Sequence, residues 1–204
     1  MIYSPDEIDA LTELVNIGVG QAASSLSELL SERIELSVPR ITVCRIEDLD
    51  LELVSLSAEP LDTSIIQEFQ GIIAGRAILS FPRSSSLKLG QLLCHMDETP
   101  DQFDLDLSGV LNEVGNIVLN GVMGTISNII VTELQFSLSR LILDTSISDL
   151  VKVESSVKGT EEFVLIADAR FQVQKRQIDG SLIIVFQVGG IQSILQASSL
   201  SQVS

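Results

Sequence analysis

The chain contains no tryptophan, one tyrosine and seven phenylalanines in 204 residues. Its core must therefore be filled by Leu, Ile and Val, with little aromatic stacking. Only two cysteines occur, Cys44 and Cys94, and no C-x-x-C. That excludes a cysteine-rich zinc cluster and a dithiol redox motif, so both thiols read as buried, reduced, small apolar side chains. The one histidine, His95, has no ligand partner at a useful spacing and adjoins Cys94 at the end of an apolar helical stretch. This speaks against a histidine metal site and against a Ser-His-Asp arrangement. Positive charge is scarce too: 12 Lys and Arg stand against 28 Asp and Glu, for a net charge of −16. Such a surface repels nucleic-acid phosphates and anionic membranes. It either favours encounter with a basic partner surface or serves only solubility. No run of about 18 uninterrupted apolar residues occurs, so no membrane span is expected. The N-terminus, Met1-Ile2-Tyr3-Ser4-Pro5-Asp6, has no basic segment leading into an apolar one. No signal peptide is read there, and a cytoplasmic protein is expected.

What is present is a hydrophobic content of 45%, enough for a sizeable core, and an internal repeat. Residues 13–17 read Glu-Leu-Val-Asn-Ile and residues 113–117 read Glu-Val-Gly-Asn-Ile. Glu13 with Asn16 is thus echoed by Glu113 with Asn116. A repeat of this kind sets the architecture. Each copy lies early in a helical pattern that opens one half of the chain.

Ser4-Pro5-Asp6-Glu7 is a helix start, with a capping hydroxyl, proline at the first position and acidic residues at the positive end of the dipole. Leu11, Val15, Gly18, Ala22, Leu26 and Leu29 then recur at three and four, giving an amphipathic helix over about 5–31. Gly18 and Gly20 with Ala22 and Ala23 indicate a close approach by another backbone. Residues 33–46 alternate and are β-branched, a strand with Pro39 at an edge or bulge. Further strands are expected at 62–72 and 75–82. Ser84-Ser85-Ser86 reads as a capping cluster before a short helix ending near His95. Residues 97–106 form an acidic link. The second half repeats the order: a helix over 104–129, strands at 133–144, 161–173 and 180–188, and a short helix at 190–199. A half with three strands has little core of its own, so the halves should fuse. The fold class is α+β, a two-layer α/β arrangement. Two pseudo-twofold-related helix–three strand–helix repeats, 1–100 and 101–204, share one mostly antiparallel six-stranded sheet within a single domain, with the two long helices packed together.

Asp9, Glu13, Asn16 and Gly20 make one polar stripe on the first helix, opposite the apolar one. The simplest account is a solvated face. Reuse of a mediocre helix former, asparagine, at the same offset in both halves favours a site, although duplication alone also accounts for the echo. Gly18-Val19-Gly20 lacks a third glycine at the dinucleotide spacing and follows no strand, and Gly189-Gly190 precedes the last helix, so both read as structure.

Asp9-x3-Glu13-x2-Asn16, followed by 22 residues and Pro39, resembles the pattern of the CheC/CheX/FliY chemotaxis phosphatases, which is Asp or Ser, x3, Glu, x2, Asn, x22, Pro. The segment Glu-Leu-Val-Asn-Ile-Gly-Val-Gly-Gln-Ala-Ala is similar to that family's first helix. In length and duplication the chain resembles CheC most. The resemblance implies hydrolysis of the aspartyl-phosphate of a CheY-like response-regulator receiver. Glu13 would anchor the receiver through its lysine, Asn16 would orient the attacking water, and Asp9 and Pro39 would support them. Glu113 and Asn116 match the two direct positions again. There Gly109, with Ser108 beside it, and Ser139 depart from the pattern, so the second site is expected to be weaker or silent. Mg²⁺ would belong to the receiver, and the chain itself would need no metal or cofactor.

The residue types suit that chemistry. An acyl phosphate is already activated and needs positioning and charge stabilisation. A neutral amide donates and accepts without titrating, and a carboxylate pairs with a lysine. A monomer is expected, in which Glu13→Ala or Asn16→Ala loses activity with the fold intact. The alternative is a non-catalytic adaptor that binds a receiver or a CheD-like receptor deamidase. A flagellar-switch role of the FliY kind is expected less, since no further domain follows residue 204. A third possibility, a scaffold that lost the chemistry, is opposed by the intact Asp9, Glu13, Asn16 and Pro39.

Overall fold

The computed structural model describes residues 3–31, 33–56, 60–96, 102, 104–129, 131, 133–155, 163–173, 176–186 and 189–201. In chain order the elements are α1 (Pro5–Leu30), β1 (Ile34–Arg45), a 3-10 turn at 46–48, α2 (Leu49–Leu56), β2 (Leu61–Gln70), β3 (Gly75–Pro82), α3 (Arg83–Leu93), α4 (Leu105–Ile129), β4 (Gln135–Phe136), β5 (Arg140–Leu143), α5 (Ile147–Ser155), β6 (Phe163–Val173), β7 (Arg176–Phe186) and α6 (Gly190–Ser201).

Helix α1 starts in a capping box. Ser4 Oγ accepts from the Glu7 N–H at 3.3 Å, and Glu7 Oε2 accepts from the Ser4 N–H at 2.7 Å. The Ser4 N–H, and the Ser4 hydroxyl donating to the same Oε2 at 2.9 Å, hold the Glu7 carboxyl below its usual value. Asp104 caps α4, its Oδ1 accepting from the Leu107 N–H at 2.8 Å. The apolar stripe of α1 is buried at Leu11, Val15, Ala22 and Leu26. Leu29, read as its end, is instead 56% exposed. The two long helices cross with backbones in contact. A Cβ built on Gly18 would stand 2.6 Å from Val122 Cα, and one on Gly121 2.9 Å from Ala22 Cβ. No larger residue fits this crossing without separating the helices. Gly20 takes no part in it, having nothing within 4 Å of its Cβ position.

All strand pairs are antiparallel, in the order β1-β6-β7-β3-β2-β4, with β5 also on β2. Exchanging the repeats turns this order into itself read backwards, which places the pseudo-twofold between β3 and β7. The sheet lies between helices on both faces. On one face Ile65, Phe69, Leu79, Phe171 and Leu182 pack against residues of α1, α3, α4 and α6. On the other, Leu49 of α2 with Ile147 and Val151 of α5 cover Ile66, Ile78, Ile166 and Ile183. Helices α2 and α5 are additions to the helix–three strand–helix repeat.

Pro39 does sit at a bulge on an edge strand: the register of β1 against β6 shifts between Ser37 and Arg40. The strand expected over 133–144 is two short pieces, because residues 137–139 leave the ladder. This gives seven strands where six were expected, and both edge strands break at matching places. Ser84-Ser85-Ser86 does not cap α3. The helix begins at Arg83 with Pro82 at its N-cap and no side-chain cap, and Ser86 Oγ donates to Arg83 O at 2.9 Å. Most of the acidic link, 97–101 and 103, lies outside the described residues.

Candidate functional site

Both Glu/Asn pairs lie on the crossed helices α1 and α4. Glu13 and Glu113 are exposed, while Asn16 and Asn116 are half-buried. Asp9 and Gly109, one turn earlier, are exposed, as is Pro39. The helix geometry thus brings each carboxylate and its amide to one face. What the two amides do there differs.

In the first repeat Asn16 clamps the helix to the edge strand. Its Nδ2 donates to Val38 O at 2.9 Å and to Thr12 O at 3.0 Å, and its Oδ1 accepts from the Val38 N–H at 2.9 Å. Val38 lies inside the bulge, where neither of its backbone groups joins the ladder to β6. Its side chain is 1% exposed, so those groups need a partner. Asn16 supplies both. A second contact stands nearer the turn: Ser27 Oγ accepts from the Ile34 N–H at 3.1 Å, and its proton is shared between Ala23 O at 2.7 Å and Ile34 O at 3.2 Å. The fixed gap between Asn16 and Pro39 therefore has a physical meaning. It is the length of chain that returns the bulge to the amide.

In the second repeat Asn116 makes no such bond. Its Oδ1 accepts from Asn120 Nδ2 at 3.0 Å, and its own Nδ2 has no partner among the described residues. Asn120 Oδ1 accepts in turn from Gln67 Nε2 at 3.1 Å, and Gln67 Nε2 also donates to Ser137 O at 3.1 Å. The broken edge is held instead by Ser137, whose Oγ accepts from the Glu68 N–H at 3.0 Å. Ser139, in the place of Pro39, donates to Asn112 Oδ1 at 3.4 Å. Beside it Leu138 is 90% exposed. At Gly109 nothing lies within 4 Å of a Cβ, so the site's geometry does not require glycine there.

Sequence reasoning missed Gln67, Asn120 and Ser137. A signal for Gln67 was available. It shares its face of β2 with Ile65 and Phe69, where a two-residue period calls for an apolar side chain. Asn120 lies four residues after Asn116, on the same helix face. The other candidates fall away. Cys44 is a buried free thiol, pushed up to about 12 by burial and by the charges of Glu52 and Asp48. Cys94 is partly exposed rather than buried, and its thiol is raised by burial and by Asp104 and Asp106. His95 is exposed after the end of α3. Gly18 and Gly20 lie inside α1, and Gly189 is in a turn at φ +83°. Among the described residues no group of three His, Cys, Asp or Glu side chains is placed to hold a metal, and no helix is long and apolar enough to cross a membrane.

Residues 7–43, the span from α1 through the bulge to β1, match the model of the CheC-like family. The fold of the whole chain recurs in solved structures. One is FliY of Thermotoga maritima, at a TM-score of 0.75 and 14% identity, over 98% of each chain. Another is FliM in a FliG–FliM complex from H. pylori, at 0.64 and 14%, over 95% of this chain and 100% of that one. A third is a CheC-like superfamily protein from Shewanella sp. PV-4, at 0.52 and 11%, over 85% of this chain and 97% of that one. Fold and motif together support the CheC/CheX/FliY group. The likeness to FliY extends over more of this chain than the likeness to the CheC-like protein.

Proposed function

We propose that the chain is a phosphatase for the aspartyl-phosphate of a CheY-like receiver in chemotaxis, acting as a two-repeat monomer. The observation that carries this reading is the duplicated pair. Two exposed carboxylates, Glu13 and Glu113, each stand one helical turn before an asparagine, and the segment that holds the first pair, residues 7–43, matches the model of the CheC-like family. Each carboxylate docks the receiver's lysine, and an amide beside it whose donors are free addresses the phosphoryl group or the water that attacks it. The receiver brings the electrophile and its Mg²⁺, so this chain contributes docking and positioning only.

The amides are not equally available. Both Asn16 Nδ2 protons are engaged by carbonyls, whereas Asn116 Nδ2 has no partner among the described residues. The second pair is therefore the working one, despite Gly109 and Ser139, and Asn16 acts mainly by shaping the first docking face. The test is the decay of a phosphorylated receiver with and without the protein. Acceleration that falls with Glu113→Ala and Asn116→Ala supports the reading. No acceleration with any cognate receiver defeats it.

An adaptor reading has one observation of its own. The engaged Asn16 leaves the first face with a carboxylate for docking and no free amide for chemistry. The FliM likeness, to a protein solved in complex with FliG, fits such a role. An adaptor would bind a receiver, or a CheD-like deamidase, without speeding decay of the phosphorylated form.

A further inference from the structure

Gln67 is a polar side chain in the core, 3% exposed. Both its N–H groups are used, and its Oε1 has no hydrogen-bond partner among the described residues. An orphaned carbonyl there carries the cost of its lost hydration. An apolar residue would avoid that cost, so the amide needs a reason. The bonds it makes fix a direction. Ser137 O can only accept, so Gln67 must present its nitrogen to it. The second proton of that nitrogen must meet an acceptor, which sets Asn120 with Oδ1 toward Gln67. Asn120 Nδ2 then faces Asn116 and fixes Asn116 with Oδ1 inward. The free end of the chain is the Asn116 amide, with two N–H donors. The first repeat keeps Ser37 at the place of Ser137 but lacks both relay side chains. Gly20 stands where Asn120 does, and β6 offers alanines, Ala167 and Ala169, on the face it turns to the long helices.

We propose that Gln67 and Asn120 are positioning residues that hold Asn116 as a hydrogen-bond donor, making the second pair a site for an acceptor group, namely the phosphoryl oxygens of an acyl phosphate. The inference rests on the phosphatase reading. Donors held in advance toward oxygens that carry charge in the transition state are an effective use of a neutral amide. Fixing the amide through the core avoids the reorganisation that a freely turning side chain would undergo.

Asn120→Asp is the informative variant. It is isosteric at an exposed position and still accepts from Gln67, but it cannot donate to Asn116. Asn116 then turns its nitrogen inward and presents Oδ1. Receiver decay is measured with wild type, Asn116→Ala, Asn120→Asp and the double variant. The expectation is that Asn120→Asp loses the second site's contribution as fully as Asn116→Ala, about a hundredfold or more as for an oxyanion donor. The double variant should lose nothing further. Wild-type rates in Asn120→Asp overturn the proposal. So does an added loss in the double variant, which would mean that the new charge acts directly on the phosphate. Side-chain amide NMR of the free protein judges the relay without any receiver. Asn116 NH₂ protons should exchange freely with water in wild type and become protected in Asn120→Asp, and protection already in wild type refutes the relay. If no receiver is dephosphorylated, the phosphatase reading fails while the NMR result still decides how Asn116 is held.

Discussion

Replacing Asn16 by alanine removes three side-chain hydrogen bonds and strands the Val38 N–H and C=O inside the β1 bulge. A buried unpaired backbone group costs about 1–3 kcal/mol, and the half-buried position of Asn16 lets water relieve part of it, so the low end applies to each. Alanine returns about 0.5 kcal/mol as the better helix former. The net loss is then about 1.5 kcal/mol, and at roughly 2–4 °C per kcal/mol for a chain of this size Tm falls by about 3–6 °C. Asn16→Asp should do no better, since it keeps the acceptor for Val38 N–H but turns a carboxylate oxygen toward the Thr12 and Val38 carbonyls. Asn116→Ala removes a single bond at an exposed partner and should stay within about 0.5 kcal/mol of wild type. Differential scanning calorimetry of the variants, beside receiver decay, checks this. An Asn16→Ala protein melting within 1 °C of wild type, by order of magnitude about a third of the smallest expected shift, would refute the clamp. So would an equal fall in Asn116→Ala. The outcome bears on how site variants are read, because loss of activity in Asn16→Ala carries a structural contribution that loss in Glu113→Ala does not.

Two further predictions follow from the same geometry. Gly109→Ala, with open space at its Cβ, should stabilise α4 by about 1 kcal/mol, whereas Gly115→Ala drives a Cβ to 2.5 Å from Ile65 and should destabilise by about 1–3 kcal/mol; urea unfolding of both decides it. Cys44, buried and titrating near 12, should resist iodoacetamide at pH 8 in the native protein and react once it is unfolded, as followed by mass spectrometry.

Much of this protein is determined locally. The capping box at Ser4, the apolar stripes of α1 and α4, the small residues at their crossing and the alternation of β1, β2 and β3 are near-neighbour properties, and the sequence reveals them through period and cap chemistry. The repeat fixes the pseudo-twofold, and Pro39, which has no N–H to give a ladder, fixes the irregularity on its edge strand. Helices α2 and α5 were not legible, because eight or nine residues give too short a period. They are held by Leu49, Ile147 and Val151 against the sheet rather than by propensity. The break at 137–139 was hidden too, since nothing local stops a strand there. It depends on Ser137 taking the backbone of Glu68 from across the sheet. Above all, the sequence presents Glu13 with Asn16 and Glu113 with Asn116 as copies. Tertiary structure makes them unlike. An amide has few bonding positions, and the chain segment that packs beside it decides which are taken. For Asn16 that segment is a bulge with unpaired backbone groups, which engage its carbonyl and one donor, while the other donor goes to Thr12 O in the same helix. For Asn116 it is a buried glutamine on a strand of the other repeat, which pins the carbonyl through Asn120 and leaves the donors free.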